Sequence, residues 1–435
     1  MKNDRALDEP VAKVSSSVVI LRRLLWFCLP LGVVIGACIL LSISQRPATP
    51  NYHMSYAITE RHVKVQGVNL AGWLVADYLV TPSSVIYQGV PTNVSALGEF
   101  AVADWYKNSN KKAEMDTKFK SHRDTWITED DIKAIAAAKL NTVRVPIGFW
   151  ITGTNYTESI TNDPTNWLPL RYSMFTAGSA DYLDKLIKVW AKTHNISVLV
   201  DITAALGAQN SKPSSAPVTT GRNFDLAQNK LAYNATTDLV KFIINRYKDD
   251  DAFLGLGLLN EPERTPNPTL SQRELFAFYR SVYPWIRNLT KRAILTTQSF
   301  GDMQRKGSYS FITDNDETMM TFSIWPEAPE TVVNHWQEWH KTETNVTAFM
   351  NESMFNAFKN DITGWTGNPL FIGSWNAVKN FSSSVDTATW AKKVLDVVNL
   401  APKGWIYSNW KNDGKNTIPG WSFKDLLAQG VQLVN

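Results

Sequence analysis

The stretch Leu254-Gly255-Leu256-Gly257-Leu258-Leu259-Asn260-Glu261-Pro262 passes from an apolar run to an amide and a carboxylate within one short segment. Apolar runs in which polar side chains do not alternate are typical of strands that are covered on both faces. The stretch therefore predicts a buried parallel strand over Leu254–Asn260. It also predicts that this strand presents Asn260 and Glu261 at its carboxyl end.

Seven further segments share this apolar, mostly non-alternating character: Val65–Leu70, Thr142–Ile147, Ser197–Ile202, Ala293–Thr297, Thr318–Ser323, Pro369–Gly373 and Gly404–Tyr407. Amphipathic helical segments lie between them, and one begins at Thr128, which forms a capping-box pattern with Asp131. Eight strands that alternate with helices predict an α/β fold, the (β/α)8 or TIM barrel. The longer stretch 81–121 is expected to form an extension beside the barrel mouth.

Composition limits the class of protein. The chain has 435 residues, and a hydrophobic content of 44% is ample for a large core. A charged content of 19% argues against a disordered chain. The net charge of +4 falls mostly within residues 1–46, so no basic patch is indicated in the remainder and nucleic acid is excluded as a partner.

Residues 24–43 form an uncharged apolar stretch that is long enough to cross a bilayer, with Arg22 and Arg23 directly before it. By the positive-inside rule, the segment before it stays in the cytoplasm. The sequence thus predicts a cytoplasmic tail at 1–23, a transmembrane signal anchor at 24–43, a stem at 44–60 and the barrel at 61–435. This is a single-pass type II protein of the plasma membrane with an extracellular C-terminal domain. A cleaved signal peptide is the alternative interpretation.

All eight Asn-x-Ser/Thr sequons follow the apolar stretch: Asn93, Asn155, Asn195, Asn234, Asn288, Asn345, Asn351 and Asn380. They are candidate glycosylation sites, and their distribution agrees with export of the C-terminal part. Both cysteines, Cys28 and Cys38, lie within the apolar stretch, so the exported domain is expected to fold without a disulfide.

In barrels of this kind the reacting groups stand at the carboxyl ends of the strands. Here those ends offer one clear acid, Glu261, with the amide Asn260 beside it and one base, Arg144, that could orient it. No metal site and no cofactor is predicted, because the six histidines are scattered and none is expected at a strand end. The seventh strand leads to Ser374, which has no histidine placed in sequence to activate it.

A family resemblance is carried by Val65–Val75 (VQGVNLAGWLV), Trp126–Asp131 (WITEDD), Leu140–Trp150 (LNTVRVPIGFW), Leu258–Pro262 (LLNEP), Gly404–Tyr407 (GWIY), Trp410-Lys411 and Trp421-Ser422-Phe423. In this order they resemble the fungal and oomycete exo-β-1,3-glucanases, or glucan 1,3-β-glucosidases, of glycoside hydrolase family five. The similarity covers about Val63 to Leu427. It implies a barrel that takes β-glucan as its partner.

The resemblance also implies roles for three residues. Glu261 matches the general acid/base, Asn260 the amide that contacts the sugar 2-hydroxyl, and Arg144 the arginine that keeps the nucleophile ionised. The family's nucleophile strand ends in Gly-Glu-Trp, whereas this chain has Gly373-Ser374-Trp375. A serine thus stands at the nucleophile position, and Arg144 is expected to lack its usual partner.

Other matches to the family are incomplete. The family's third strand carries Asp-Leu-His before a segment that ends in Gln-Asn; here Asp201-Ile202-Thr203 loses the histidine, and Asp201 is expected to be a structural acid. The family's His-x-Tyr-type pair on strand six is matched with Ser323-Ile324-Trp325, and its aromatic residue near Ser408 is missing. Substrate binding is assigned to five residues: Arg144, Asn260, Trp325, Trp375 and Trp410.

Retaining hydrolysis uses two carboxylates, one of which attacks the anomeric carbon. A serine carries no charge and needs a base before it can attack. The sequence therefore predicts a cell-surface glucan 1,3-β-glucosidase homologue that recognises β-glucan but is hydrolytically impaired. One alternative is an active hydrolase or transglycosylase that combines Glu261 with an unconventional group such as Glu327 or Glu330. Another is a structural wall protein that binds no sugar.

Overall fold

Eight parallel strands close into a barrel in which each strand pairs with the next along the chain and the last pairs with the first. The computed structural model describes residues 52–153, 174–210, 212–217, 230–262, 272–297, 335–340, 356, 359–360, 362–364, 369–378, 386–414 and 418–434. The strands are β1 (Val65–Asn69), β2 (Thr142–Gly148), β3 (Ser197–Ala204), β4 (Phe253–Gly257), β5 (Ile294–Thr297), β6 (His335–His340), β7 (Leu370–Trp375) and β8 (Gly404–Tyr407). The predicted barrel is confirmed.

The sixth strand is not the one that the sequence indicates. In β6, the backbone of His335 is paired with Leu295 of β5, and the backbone of His340 is paired with Ser374 of β7. The prediction that Thr318–Ser323 supplies this strand is therefore wrong, and that segment lies outside the described residues. The expectation that no histidine stands at a strand end is also wrong, because β6 begins and ends on histidine.

The helices in the described part of the chain are α1 (Met54–Glu60), α2 (Thr92–Ser95), α3 (Glu99–Asn108), α4 (Lys112–Trp126), α5 (Glu129–Ala137), α6 (Ser179–Asp184), α7 (Lys230–Tyr247), α8 (Gln272–Leu289), α9 (Thr387–Val398) and α10 (Phe423–Ala428). A π-helical segment, Lys185–Ala191, continues α6. The expected extension between β1 and β2 consists of α2, α3 and most of α4. The capping box of α5 is confirmed, since the Thr128 backbone N–H donates to the Asp131 carboxylate at 3.1 Å.

The N-terminal end of the barrel is closed by α1. Ile58 of this helix belongs to one apolar cluster with strand residues that point into the barrel: Val65, Leu199, Leu254, Ile294, Phe371 and Ile406. The Met54 backbone N–H donates to Asn195 Oδ1 at 2.7 Å, just before β3 begins. The compact unit therefore starts at His53, and the prediction of a stem over 44–60 is wrong for Met54–Glu60.

The predicted tail at 1–23 and membrane anchor at 24–43 lie outside the described residues. Within the described ranges, no helix combines the length and the hydropathy that crossing a bilayer requires. Four of the predicted glycosylation sites have exposed side chains, namely Asn93, Asn195, Asn234 and Asn288. The other four are not among the described residues.

Candidate functional site

Arg144 of β2 connects three strands at the carboxyl end of the barrel. Its Nη1 donates to the Gly373 carbonyl of β7 at 2.7 Å, and its Nη2 donates to Asn260 Oδ1 after β4 at 3.1 Å. Because Ser374 directly follows Gly373, three predicted site residues are brought together. The Arg144 side chain is only 3% exposed, so its predicted role as a sugar-binding residue is wrong. It positions the groups around it.

Asp201 is the ionic partner of Arg144. Asp201 Oδ1 lies 2.9 Å from Arg144 Nη2, and both side chains are buried. The Thr203 hydroxyl donates to Asp201 Oδ2 at 2.6 Å, so the residue that replaces the family's histidine supports this carboxylate. A β-carbon at position 257 would collide with Asp201 Oδ1, which explains why Gly257 faces it from β4. Arg144 therefore does not face a carboxylate at position 374 and is paired with Asp201 instead, which is structural as predicted.

Ser374 lies near the end of β7, where the sequence placed it. Its side chain is half-buried, between the buried residues Gly373 and Trp375. The backbone of Ser374 is in register with His340 at the end of β6. The position expected for the second carboxylate therefore carries a hydroxyl that is partly accessible from the mouth.

Asn260 and Glu261 follow β4 and are held through their backbones by the loop after β3. Gln209 Nε2 donates to the Asn260 carbonyl at 2.8 Å, and Asn210 Nδ2 donates to the Glu261 carbonyl at 2.8 Å. Glu261 has a φ of 47°, a left-handed conformation that is uncommon for a residue with a β-carbon. These two amides support that conformation, which is of the kind that concentrates at functional sites.

Lys212 contacts the side chain of Glu261. Lys212 Nζ lies 2.9 Å from Glu261 Oε2, and the Glu261 side chain is 18% exposed. Sequence reasoning did not identify this lysine, because nothing in a loop lysine distinguishes it before the fold is known. Gln209 and Asn210 stand where the corresponding segment of the family ends in Gln-Asn. Their role is to hold the carbonyls of the Asn-Glu pair.

The tryptophans assigned to the groove do not line it. Trp375 is fully buried, with its ring against Trp405 and Tyr407 at centroid distances of 5.4 and 4.8 Å. Trp410 is 1% exposed, and its indole N–H donates to Asp131 at 2.9 Å. The predictions that these two rings stack on sugar are therefore wrong, because neighbouring side chains cover them. Trp325 lies outside the described residues.

The charges and polar groups at the mouth limit its chemistry. Glu261 is a partly exposed carboxylate, whereas Asp201 is 1% exposed and ion-paired. Within the described residues no group of three or more potential ligands could hold a metal ion. The site can accept hydrogen bonds from sugar hydroxyls through Glu261. Neither Ser374 nor the buried Asp201 supplies the second accessible carboxylate that retaining hydrolysis uses.

A cavity of about 570 Å³ opens elsewhere, between α4 and the short 3-10 helix Phe149–Thr152. Its described lining includes Arg123, Trp150 and Phe175, and none of the site residues above. This cavity is therefore lined by other residues than the strand-end groups that define the candidate site.

Comparison with known proteins agrees with this geometry. Residues 105–416 match the family model of the cellulases, glycosyl hydrolase family 5. A probable glucan 1,3-β-glucosidase A of Emericella nidulans is 27% identical over 405 residues, which span 85% of this chain and 89% of the relative. Glucan 1,3-β-glucosidase 2 of Wickerhamomyces anomalus is 26% identical, over 89% of this chain and 92% of the relative.

Solved structures share the fold. The rutinosidase of Aspergillus niger superposes with a TM-score of 0.63 over 86% of this chain and 99% of its own, at 15% identity. At that identity the likeness shows the architecture alone. The family model, in contrast, spans well over half of the sequence and includes β2 to β8. The chain belongs to glycosyl hydrolase family 5.

Proposed function

We propose that this protein recognises β-1,3-glucan at the carboxyl end of its barrel and hydrolyses it poorly or not at all. The observation that carries the proposal is Ser374, which occupies the end of β7 beside the carbonyl that Arg144 holds. In a retaining enzyme this place belongs to the attacking carboxylate. A hydroxyl neither carries the charge nor attacks without a base.

The loss is large in kinetic terms. A carboxylate at this position forms the covalent intermediate and balances the positive charge of the oxocarbenium-like transition state. Removing a nucleophile from a hydrolase lowers kcat by several powers of ten, on the order of 10⁶ in the best-studied case. Asp201 does not replace it, because it is buried and paired with Arg144.

The groups that recognise sugar are better preserved. Asn260 and Glu261 are both held in place by several contacts, and polar groups that are fixed in advance lose little entropy on binding. The relatives at 27% and 26% identity are named glucan 1,3-β-glucosidases, which supports a β-1,3-glucan as the ligand class here. Recognition without turnover is the function that these features support best.

The test measures binding and turnover separately on the full-length chain. Laminarin oligosaccharides are titrated by calorimetry, and product formation is followed over days by chromatography. We expect binding in the micromolar to millimolar range, about tenfold weaker in Glu261→Gln, and no turnover. Glu114→Gln, an exposed carboxylate change on α4, is the matched control and should bind like the parent chain.

Two outcomes would reject the proposal. Turnover that Glu261→Gln abolishes would favour an active hydrolase or transglycosylase with an unconventional second group. Absence of binding at millimolar sugar would favour a structural protein.

We further propose that residues 24–43 anchor the protein in the plasma membrane with the barrel outside the cell. The apolar length, the preceding arginines and the sequons downstream support this topology. Expression in fungal cells should give a glycosylated protein that an endoglycosidase shortens and that external protease digests in intact cells. A soluble, unglycosylated cytosolic protein would reject it.

A further inference from the structure

We infer that Lys212 holds Glu261 as a carboxylate and is thereby a second block to hydrolysis, independent of Ser374. This deepens the proposed function and relies on it for the identity of Glu261 as the surviving acid. Lys212 is a positioning residue, because it would act through Glu261. The inference rests on the contact between the two side chains and on the way the loop after β3 is built around it.

The contact itself is short, and its carboxylate partner is mostly covered. Lys212 Nζ lies 2.9 Å from Glu261 Oε2, and the carboxylate side chain is 18% exposed while the lysine is 37% exposed. An ammonium group at hydrogen-bond distance favours the ionised form of a carboxylic acid. A general acid must instead hold a proton to deliver to the leaving group. The pair therefore opposes the role that Glu261 would have in a glycosidase.

The position of Lys212 is built into the loop. Its backbone N–H donates to Asn210 Oδ1 at 2.9 Å, and the same Asn210 side chain donates to the Glu261 carbonyl at 2.8 Å. The Lys212 carbonyl accepts from the buried Ser215, from both its backbone N–H and its hydroxyl at 2.9 Å. One asparagine thus joins the backbones of the two residues whose side chains form the pair.

The surroundings of Glu261 reinforce the effect. In sites with two carboxylates, the negative charge of one raises the proton affinity of the other, which keeps the acid protonated. Here position 374 supplies a neutral hydroxyl, and the charge of Asp201 is balanced by Arg144. Position 374 thus brings no charge that would favour protonation of Glu261, and the Lys212 cation disfavours it.

Substrates with different leaving groups distinguish the effect of Ser374 from the effect of Lys212. In Ser374→Glu the new carboxylate would attack the anomeric carbon, and the bond to the leaving oxygen would break with its electron pair. A dinitrophenolate is stable as that anion and needs no proton. The sugar alkoxide released from laminaribiose must take a proton from Glu261. Water then hydrolyses the glycosyl-enzyme with Glu261 as base.

The experiment compares these two substrates in four full-length variants: Ser374→Glu alone, and Ser374→Glu combined with Lys212→Met, Lys212→Arg or Lys241→Met. Lys241 is an exposed lysine of α7 and serves as the matched control. All four should cleave dinitrophenyl β-glucoside at rates within about threefold of each other. On laminaribiose, the Lys212→Met combination should be at least about tenfold faster than Ser374→Glu, and the other two should not. Equal rates on laminaribiose in all four would overturn the inference.

A second readout does not depend on activity. The carboxyl carbon of Glu261 is followed by ¹³C NMR during a pH titration and assigned with Glu261→Gln. We expect Lys212→Met to move the titration midpoint up by about one pH unit, and Lys212→Arg to leave it in place. If Ser374→Glu cleaves neither substrate, the assignment of Ser374 as the cause of the lost hydrolysis fails, while this titration still tests the effect of Lys212 on Glu261. Absent glucan binding would reject the proposed function, whereas a midpoint that stays unchanged in Lys212→Met would overturn the role of Lys212 alone.

Discussion

The ends of β4 and β7 face the same mouth but are maintained very differently. After β4, the backbone and side chain of the Asn260-Glu261 pair are held by Gln209, Asn210, Lys212 and Arg144. At β7, Arg144 holds the Gly373 carbonyl, and the side chain that follows is a serine. The acid is supported by several contacts, whereas a serine stands where the carboxylate that attacks the sugar is expected. The proposed recognition site needs the supported acid but not the nucleophile.

The largest expected effect comes from breaking the Arg144–Asp201 ion pair, which holds the arginine that contacts both strand ends. Asp201→Asn removes the carboxylate that balances the buried Arg144, and such a change typically costs about 3–5 kcal/mol of unfolding free energy. Urea unfolding measures it. Asp184→Asn, whose partner Arg246 is 32% exposed, is the control and should cost about 1 kcal/mol or less. Equal costs in both variants would mean that Arg144 does not depend on Asp201.

Acid should lower the free energy of unfolding through His122 of α4, a residue that belongs to neither strand end. Burial lowers the pKa of His122 from 6.5 to about 4, against a favourable hydrogen bond to the Gly72 carbonyl. The contribution is fully present above pH 6.5 and is lost as the pH falls towards 4, by about 3 kcal/mol in total. Unfolding free energies at pH 7, 6 and 5 should fall in the parent chain and fall less in His122→Asn. An equal fall in the variant would place the acid-sensitive group elsewhere.

A smaller effect is expected from removing Gln209, which holds the backbone that follows β4. Gln209 is buried, donates to the carbonyls of Thr203 and Asn260 at 2.7 and 2.8 Å, and accepts from the Ala205 N–H at 3.1 Å. Gln209→Ala should cost about 2 kcal/mol and weaken sugar binding, since it releases the Asn260 carbonyl. The exposed Gln88→Ala should change stability by less than about 0.5 kcal/mol. Unaltered sugar affinity in Gln209→Ala would show that the β4 end needs no such support.

The smallest effect concerns the aromatic side chains behind β7. Trp410→Phe removes the hydrogen bond to Asp131 and should cost about 1 kcal/mol in urea unfolding. Its ring is covered, so laminarin affinity by calorimetry should not change. A loss of affinity with stability intact would restore the stacking role that the sequence suggested.

The sequence predicts the barrel well because most of its strands are covered on both faces and therefore appear as apolar runs. β6 escapes this rule. Its sequence, His335-Trp336-Gln337-Glu338-Trp339-His340, places two tryptophans among polar and charged residues, whereas Thr318–Ser323 contains no charged residue. The search for apolar runs therefore predicted Thr318–Ser323 as the sixth strand in place of His335–His340. The pairing partners on β5 and β7 decide the strand, and pairing is not encoded locally.

The candidate site is predicted in its residues but not in its contacts. Ser374 lies near the end of β7 as predicted, Asn260 and Glu261 follow β4, which ends at Gly257 and not at Asn260, and Arg144 lies within β2 and reaches the other groups through its side chain. The Arg144–Asp201 and Lys212–Glu261 pairs could not be read from sequence, because each joins residues from separate strands or loops. Trp375 and Trp410 were predicted to bind sugar, and their burial could not be read from the sequence either. Composition cannot distinguish a ring that faces a groove from one that fills the space behind it.

The position of α1 at the N-terminal end of the barrel determines how the protein should be attached to a surface. Because α1 seals the N-terminal ends of the strands, the polypeptide joins the folded unit at the pole opposite to Glu261 and Ser374. Any surface, support or fusion partner attached through the segment before His53 is therefore joined to the barrel from that pole. A long, insoluble glucan could approach the opposite pole without passing the attachment point. Immobilisation through the N-terminus is accordingly the orientation in which binding to whole walls should be measured.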